Sequence, residues 1–552
     1  MNPDMPDLPG YEVATIEIRG VPTKVFEHAP ASLRAVWDAS AAHGDAPYLV
    51  YGDERTTFAA AHRQVQAFAS WLGEQGVGQG DRVAIAMRNY PEWAIAFWAT
   101  QAVGAVAVPL NAWWTGPELA YGLTDSGALV LVADDERAER LAPHLAATAV
   151  RTTVLVRTDR ALPDSVSFAE TVAGDAPELA DVDIDPDDDA VIMYTSGTTG
   201  RPKGATQTHR NYTNFLTQMG YRGAVAALEQ PASTEPAPPM ATLLTFPLFH
   251  VGGLPSFLMP YTAGGGKIVL MYKWDAPEAV RLIDSEQVTA LAGVPTTVFE
   301  LLETAQAMGS ELASLGGISS GATLVPPELV RRIDRQSASR TAPGNGYGLT
   351  ETTGAAVGNF GARYVAKPES VGRPLSPVID VRVAGVDGEA VAAGEVGEIW
   401  LKGPTVVRGY YGLDEETARA FSDGWFHTGD LGRIDDDGDL HVVDRLKDVV
   451  IRGGENIYAA EVEAALYEHP EIIDAAIIGV PHDRLGEEVG AVVRRRDAST
   501  ITPDAVRDHV AQRLAAFKVP AHVWLIDTEL PRNATGKILK RELRERYAAP
   551  AR

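Results

Sequence analysis

The chain of 552 residues contains no cysteine. That excludes disulfides, thiolate zinc centres and a cysteine nucleophile, and it fits a reducing, cytoplasmic compartment. Any thioester chemistry must therefore proceed without an enzyme-bound cysteine. Positive charge is scarce: 48 Lys and Arg stand against 74 Asp and Glu, a net charge of −26. This balance favours solubility and argues against nucleic acid as a partner. It also means that a polyanionic ligand needs local clusters of N–H donors, lysine, arginine and metal. Signal-like and membrane-like runs are lacking. The opening MNPDMPDLPG is acidic and proline-rich, without the basic start or apolar core of a signal peptide. The most membrane-like stretch, Trp93 to Leu110, holds Gln101 and Gly104 and ends at Pro109–Leu110. It reads as a buried helix starting near Pro91 and then a short strand, with no integral membrane segment expected.

What is present is ordinary globular composition, 45% apolar and 22% charged, in a chain too long for one core. From about residue 30 to 180 helical and strand patterns alternate. AHRQVQAFASWLGEQGV has helical period, DRVAIAM is a short apolar strand, PEWAIAFWATQAVG is a helix, and ALVLVA and TTVLV are strands. The pattern recurs at GGKIVLM, APEAVRLIDSEQVTALAGV and TTVFELLETAQAM. Such alternation implies parallel α/β sheets. Asp175 to Asp189 reads as an acidic linker. Its DVDID run is not a calcium loop, because Pro186 stands where that loop needs glycine and no Glu follows at the twelfth place. Val225 to Met240 reads as a surface loop, and Asp435 to Leu440 as a hairpin turn. Past Asp444 short strands and helices predict a small α+β domain. The expected division is 1–446 and 447–552, hinged at Lys447 and Asp448.

The sharpest motif is Tyr194-Thr-Ser-Gly-Thr-Thr-Gly-Arg-Pro-Lys-Gly204, after the buried strand AVIM. Glycines let a backbone approach phosphates closely, successive N–H groups form an anion nest, hydroxyls add donors and Lys203 adds charge. The spacing is not that of a P-loop. The segment resembles the phosphate loop of the adenylate-forming superfamily, which holds acyl-CoA synthetases, peptide-synthetase adenylation domains and beetle luciferases. The superfamily's other signatures follow in order: Phe246 to Gly253 (FPLFHVGG), Asn345 to Glu351 (NGYGLTE), Trp425 to Asp430 (WFHTGD), Asp444 to Asp448 (DRLKD), Gly453 to Ile457 (GGENI) and Pro531 to Lys537 (PRNATGK). The similarity covers roughly residues 30 to 545.

The resemblance implies a large N-terminal domain of α/β subdomains with mostly parallel sheets and a β-barrel-like part, followed by a small hinged α+β domain. It implies that Thr195, Ser196, Gly197, Thr198, Thr199, Gly200 and Lys203 hold the phosphates of ATP, with Thr350 at the α-phosphate. Glu351 is assigned to Mg²⁺; a carboxylate beside phosphates is repulsive unless a cation bridges the charges. Gly321, Ala322, Thr323, Asn345, Gly346 and Tyr347 resemble the adenine-binding segments. Asp430, with Arg445 nearby, matches the ribose ligand; read alone, Asp430 is a turn residue. His250 read alone is a core histidine, whereas the resemblance places it beside the acyl carboxylate, with Val251, Gly252, Val294 and Gly348 lining the acyl pocket. Acetate-using relatives carry Trp at the position matching Gly348, so glycine there suggests an open pocket. The superfamily's matching lysine puts Lys537 over the α-phosphate, where one anion attacks another and charge neutralisation is most of the catalytic task. A rotation of the small domain would then exchange the Lys537 face for Arg452, Gly453, Gly454 and Glu455 along the CoA channel.

The expected activity is thus an acyl-CoA synthetase, an AMP-forming ligase using ATP, CoA and Mg²⁺, with a medium- or long-chain fatty acid as the expected substrate. An aryl or alicyclic acid, such as a steroid-derived one, is the alternative. FPLFHVGG lacks the Asp that holds an amino acid's ammonium, the chain ends at Arg552 without a carrier domain, and no extra block stands out between Glu351 and Trp425. Those features favour CoA over a carrier-loading acyl-AMP ligase. A non-catalytic nucleotide-binding sensor should have lost Glu351, Lys537 or the phosphate loop; all are present. His427 reads as structural and Arg494 to Arg496 as a solvated patch. A monomer or homodimer is expected.

Overall fold

The computed structural model describes residues 5–174, 177–195, 201–229, 238–323, 325–336, 341–497, 499–533 and 536–548. Two large sheets and two smaller ones organise them, with an N-terminal hairpin beside them. In the first, eight-stranded sheet the order runs Gly409–Tyr410, Gly204–Thr208, Asp189–Tyr194, Val106–Pro109, Arg82–Ala86, Val130–Asp134, Thr152–Val156, Ser165–Ser167. Its last six strands, from Asp189–Tyr194 onward, are mutually parallel. In the second, nine-stranded sheet Pro47–Tyr51, Lys267–Leu270, Ala241–Leu244, Ala290–Gly293, Gly317–Gly321 and Ala342–Leu349 are parallel, with antiparallel strands at both edges.

The helix Pro91–Ala102 explains the membrane-like stretch. Every residue in it except Glu92 is buried. A helix apolar on nearly all sides belongs inside a protein, and this one lies in a core that also takes Ile85 and Val191 from the first sheet and Leu244 and Ile268 from the second. Among the described residues no helix is long and apolar enough to cross a membrane. Helix starts follow capping chemistry. Thr57 accepts the Ala60 N–H at the head of Phe58–Glu74, and Asp275 accepts that of Glu278 ahead of Ala276–Glu286. One expectation needs correction. Val225 to Glu229 continue the helix His209–Glu229 rather than forming a loop, as suits the helix-favouring run Ala224-Val-Ala-Ala-Leu228. Residues 238–240 are exposed coil.

An antiparallel sheet of Asp380–Ala384, Gly397–Lys402, Trp425–Ile434, Phe421–Ser422 and Leu440–Arg445 packs beside the large ones. Beyond Asp448 the chain builds its own core, around Val450, Val462, Ile477, Val489 and Val493, on a five-stranded sheet. Several segments expected at the site lie at the carboxyl ends of parallel strands. Phe246 follows Ala241–Leu244, Val294 follows Ala290–Gly293, Ala322 follows Gly317–Gly321, and Thr350–Glu351 follow Ala342–Leu349. Open α/β sheets bind ligands at that end.

Candidate active site

Lys203, expected at the phosphates, and Glu351, expected at Mg²⁺, converge on Tyr410. Thr195 and Lys203 close the base of the loop: the Thr195 N–H donates to the Lys203 carbonyl at 2.9 Å, and the Lys203 N–H to Thr195 Oγ1 at 3.4 Å. Ser196, Gly197, Thr198, Thr199 and Gly200 lie outside the described residues. Lys203 Nζ stands 3.8 Å from the centre of the Tyr410 ring. The Tyr410 hydroxyl donates to Glu351 Oε1 at 2.8 Å. Burial, and then the neighbouring Glu351 carboxylate, push the Tyr410 phenol well above its ordinary pKa, so it remains a donor. The turn Thr350–Thr352 is held from two sides. Gln207 donates to the Thr350 carbonyl at 2.9 Å, and the Val407 N–H to the Glu351 carbonyl at 3.0 Å. Thr350 and Glu351 are both buried.

Among the residues expected at the nucleoside, Ser320 pairs with Asn345 and Gly321 with Gly346 in parallel register. Ala322 and Thr323 are exposed beyond the strand end. Tyr347 donates to Asp430 Oδ2 at 2.9 Å. Arg445 Nε lies 3.3 Å from Asp430 Oδ1, because the two residues face each other across antiparallel strands. Tyr347 and Arg445 thus partner both oxygens of the buried Asp430, the arrangement a buried carboxylate requires.

His250, expected beside the acyl carboxylate, follows a segment spliced to the first sheet by Asn89. The Asn89 amide donates to the Phe246 carbonyl and accepts the Leu248 N–H, each at 2.9 Å. His250 Nδ1 accepts the Gly252 N–H at 3.0 Å. Burial pushes the imidazole down to about 4, so at neutral pH it is uncharged and its proton sits on Nε2. Val251 is buried and Gly252 faces the Phe246 ring. Gly348 does not support the reading given to it. A Cβ there would lie 1.9 Å from the Gly354 carbonyl oxygen, where the strand register shifts at Tyr347/Gly348. Glycine is required by the backbone of the adjacent strand, so its presence says nothing about pocket width.

Lys537 comes to the same place from the other end of the chain. Asn533 closes its turn: the Lys537 N–H donates to Asn533 Oδ1, the Asn533 N–H to the Lys537 carbonyl, each at 2.9 Å. Burial, then Arg445 and Lys447, press the Lys537 ammonium down to about 7, with Asp430 and Asp448 opposing. Asp448 is gripped by Arg544 at 2.8 Å. The structure therefore groups Lys537 with Asp430 and Arg445. It does not bring the Gly453–Gly454 turn there: Gly453, Gly454 and Glu455 are exposed, and Arg452 lies 3.9 Å from Glu488. His427 stacks on Trp400 with centroids 3.9 Å apart. Arg495 is paired with Asp527 at 2.7 Å and Arg496 donates to the Pro470 carbonyl.

Glu351 offers a cation a buried carboxylate with Oε1 already oriented by a phenol, and a carboxylate oxygen is a hard donor of the kind Mg²⁺ takes. The other clustered carboxylates, Asp435, Asp437 and Asp439, are already bridged by the Lys367 ammonium. Two residues in this site, Tyr410 and Asn89, were not singled out from the sequence. The glycine-flanked pair in RGYYG was the only local sign of the first, and nothing local marked the second.

The AMP-binding enzyme family matches residues 36–411, and the AMP-binding enzyme C-terminal domain matches residues 461–537. A feruloyl-CoA synthase of Amycolatopsis sp is 39% identical over 90% of this chain and 95% of its own. A long-chain-fatty-acid–CoA ligase of Yersinia pestis is 32% identical over 95% of this chain and 96% of its own. The solved o-succinylbenzoate coenzyme A synthetase of Bacillus subtilis, in complex with ATP and magnesium ion, superposes with a TM-score of 0.78 at 29% identity, covering 92% of this chain and 99% of that one. The chain belongs to the AMP-binding enzyme family of adenylate-forming enzymes and is an AMP-forming carboxylate–CoA ligase.

Proposed function

We propose that this ligase activates an apolar acid larger than propionate, an aryl acid of the ferulate kind ahead of a medium- or long-chain fatty acid. The observation that carries the order is the 39% identity to a feruloyl-CoA synthase against 32% to a fatty-acid ligase, each over at least nine-tenths of the chain. Gly348 is explained by its sheet neighbour and so gives no support to chain length as such. The fatty-acid reading keeps the apolar residues Val251, Leu254 and Val294 around the expected acyl position.

In the first half-reaction a carboxylate oxygen attacks the α-phosphorus of ATP, the bond to the bridging oxygen breaks, and pyrophosphate leaves. Lys537 donates hydrogen bonds to the oxygens that gain charge, Thr350 steadies the α-phosphate, and Asp430 takes the ribose hydroxyls in exchange for one of its present donors. Neutral His250 presents Nε2–H towards the acyl carboxylate, orienting it without neutralising the nucleophile. Glu351 would hold Mg²⁺, whose contribution when bound is to offset the charge of the β- and γ-phosphates. In the second half-reaction the CoA sulfur attacks the acyl carbonyl carbon, the thiol proton is released, and AMP leaves. No enzyme nucleophile is needed. For that step we propose that residues 447–552 rotate about Lys447–Asp448, taking Lys537 away and bringing the exposed Gly453–Gly454 turn in.

The test is kcat/KM for ferulate, 4-coumarate, octanoate, palmitate, propionate and acetate with ATP and CoA, read as thioester by mass spectrometry. Aryl propenoates should lead. A fatty acid in first place reverses the order, and acetate equal to all others sinks the apolar-pocket reading.

A further inference from the structure

The ring of Tyr410 stands between two opposite charges that both belong to the nucleotide site. Lys203 Nζ rests on its face, 3.8 Å from the centroid. Glu351 Oε1 accepts its hydroxyl at 2.8 Å. Among the described residues Lys203 and Glu351 each contact Tyr410 and form no ion pair with each other. An ammonium and a carboxylate this close to one tyrosine would otherwise attract each other, and a direct pair would leave each neutralised before any nucleotide arrived.

Tyr410 is itself held on several sides. It pairs with Ala205 on the strand that leads out of the phosphate loop. Its N–H donates to Thr417 Oγ1 at 2.9 Å, and its ring meets Phe421 edge-on at 5.8 Å. The next N–H, that of Tyr411, donates to the Gly204 carbonyl at 2.7 Å, and Val407 three residues earlier donates to the Glu351 carbonyl. The segment Val407 to Tyr411 therefore staples the phosphate-loop strand to the turn carrying Glu351.

We propose that Tyr410 is a positioning residue of this ligase: its hydroxyl fixes the Glu351 carboxylate for Mg²⁺ while its face holds Lys203 apart for the phosphates. The proposal rests on the nucleotide-site reading above. It divides the two duties between two parts of one side chain, so they separate by mutation. Tyr410→Phe removes only the hydroxyl. Tyr410→Leu removes the cation-binding face as well.

The experiment is calorimetric binding of ATP to the full chain with Mg²⁺ and, separately, with EDTA, alongside pyrophosphate exchange. In Tyr410→Phe the gain in ATP affinity that Mg²⁺ provides should fall about tenfold, the scale of one hydrogen bond to a charged group. Binding in EDTA should stay within about twofold of wild type. In Tyr410→Leu the EDTA affinity should fall too. In a Glu351→Gln background Tyr410→Phe should add little to the magnesium effect, whereas loss of packing alone would add in full. Circular dichroism establishes that each variant is folded. An unchanged magnesium effect in Tyr410→Phe, or equal losses with Mg²⁺ and EDTA, overturns the proposal and leaves the site reading intact. A wild-type protein without magnesium-dependent ATP binding or carboxylate-dependent exchange overturns both.

Discussion

Gly536 packs directly against Val294: a Cβ on that glycine would lie 3.0 Å from Val294 Cγ2. Gly536 also has φ +79, a left-handed conformation that residues with a Cβ rarely adopt. One residue thus supplies both the turn before Lys537 and the close approach to the loop after Ala290–Gly293. Gly536→Ala meets the steric and the conformational cost together, about 1–2 kcal/mol from the backbone alone. Adenylation should fall on the order of tenfold or more, while thiolysis of a supplied acyl adenylate holds. Equal loss in both half-reactions would show that the turn is not specific to the first.

Lys537 carries a pH signature. Its pKa is pushed down from 10.5 to about 7 in the nucleotide-free protein, chiefly by burial and then by Arg445 and Lys447. Protonated lysine is the form that binds and neutralises phosphate. As pH rises through about 7 the free enzyme loses that proton, so kcat/KM for ATP should fall on the alkaline side. Because kcat/KM reports groups in the free enzyme, the limb belongs to Lys537 if Lys537→Arg, which stays charged, abolishes it. A limb that persists in the arginine variant assigns the ionisation elsewhere. Lys537→Ala should lower adenylation by about 10²–10³-fold and spare thiolysis.

The proposed hinge makes a separate prediction. Proline at 447 fixes φ near −65° and restricts rotation about the segment. Asp448 is held by Arg544 at 2.8 Å, a contact inside the part proposed to move. Lys447→Pro should leave pyrophosphate exchange near wild type and stop CoA transfer. Normal thioester formation in that variant means the swing is unnecessary or the hinge lies elsewhere.

Gly348 distinguishes a pocket wall from a sheet contact. A Cβ 1.9 Å from the Gly354 oxygen cannot be accommodated without moving the strand. Gly348→Ala should therefore lower the melting temperature and reduce kcat/KM for small and large acids alike. A variant that stays stable and loses only large acids restores the pocket-wall reading.

The layered α/β architecture was legible from local pattern. Short apolar and period-3.6 runs such as DRVAIAM and AHRQVQAFASWLGE are set by neighbouring residues, and the structure forms Arg82–Ala86 and Phe58–Glu74 there. Local pattern failed where two signals competed. Pro, Ser and Glu after residue 230 read as loop, and the alanines before them carried the helix on to Glu229. The family was legible through its ordered motifs, and the residue roles follow from that resemblance alone. Spacing alone left Asp430 a turn residue and His250 a core histidine.

Only the tertiary structure decided who meets whom. Tyr410 lies 59 positions from Glu351, and Asn89 lies 157 from Phe246. No periodicity reaches so far, because pairing across sheets is set by strand order and register rather than by the residues between. The same holds for Gly348. Its sequence shows a missing side chain, but the reason it is missing is the Gly354 carbonyl, brought against it by an antiparallel neighbour with a shifted register. The lysine near the end of the chain is likewise unremarkable in sequence. Its lowered pKa exists only because folding buries it beside Arg445 and Lys447.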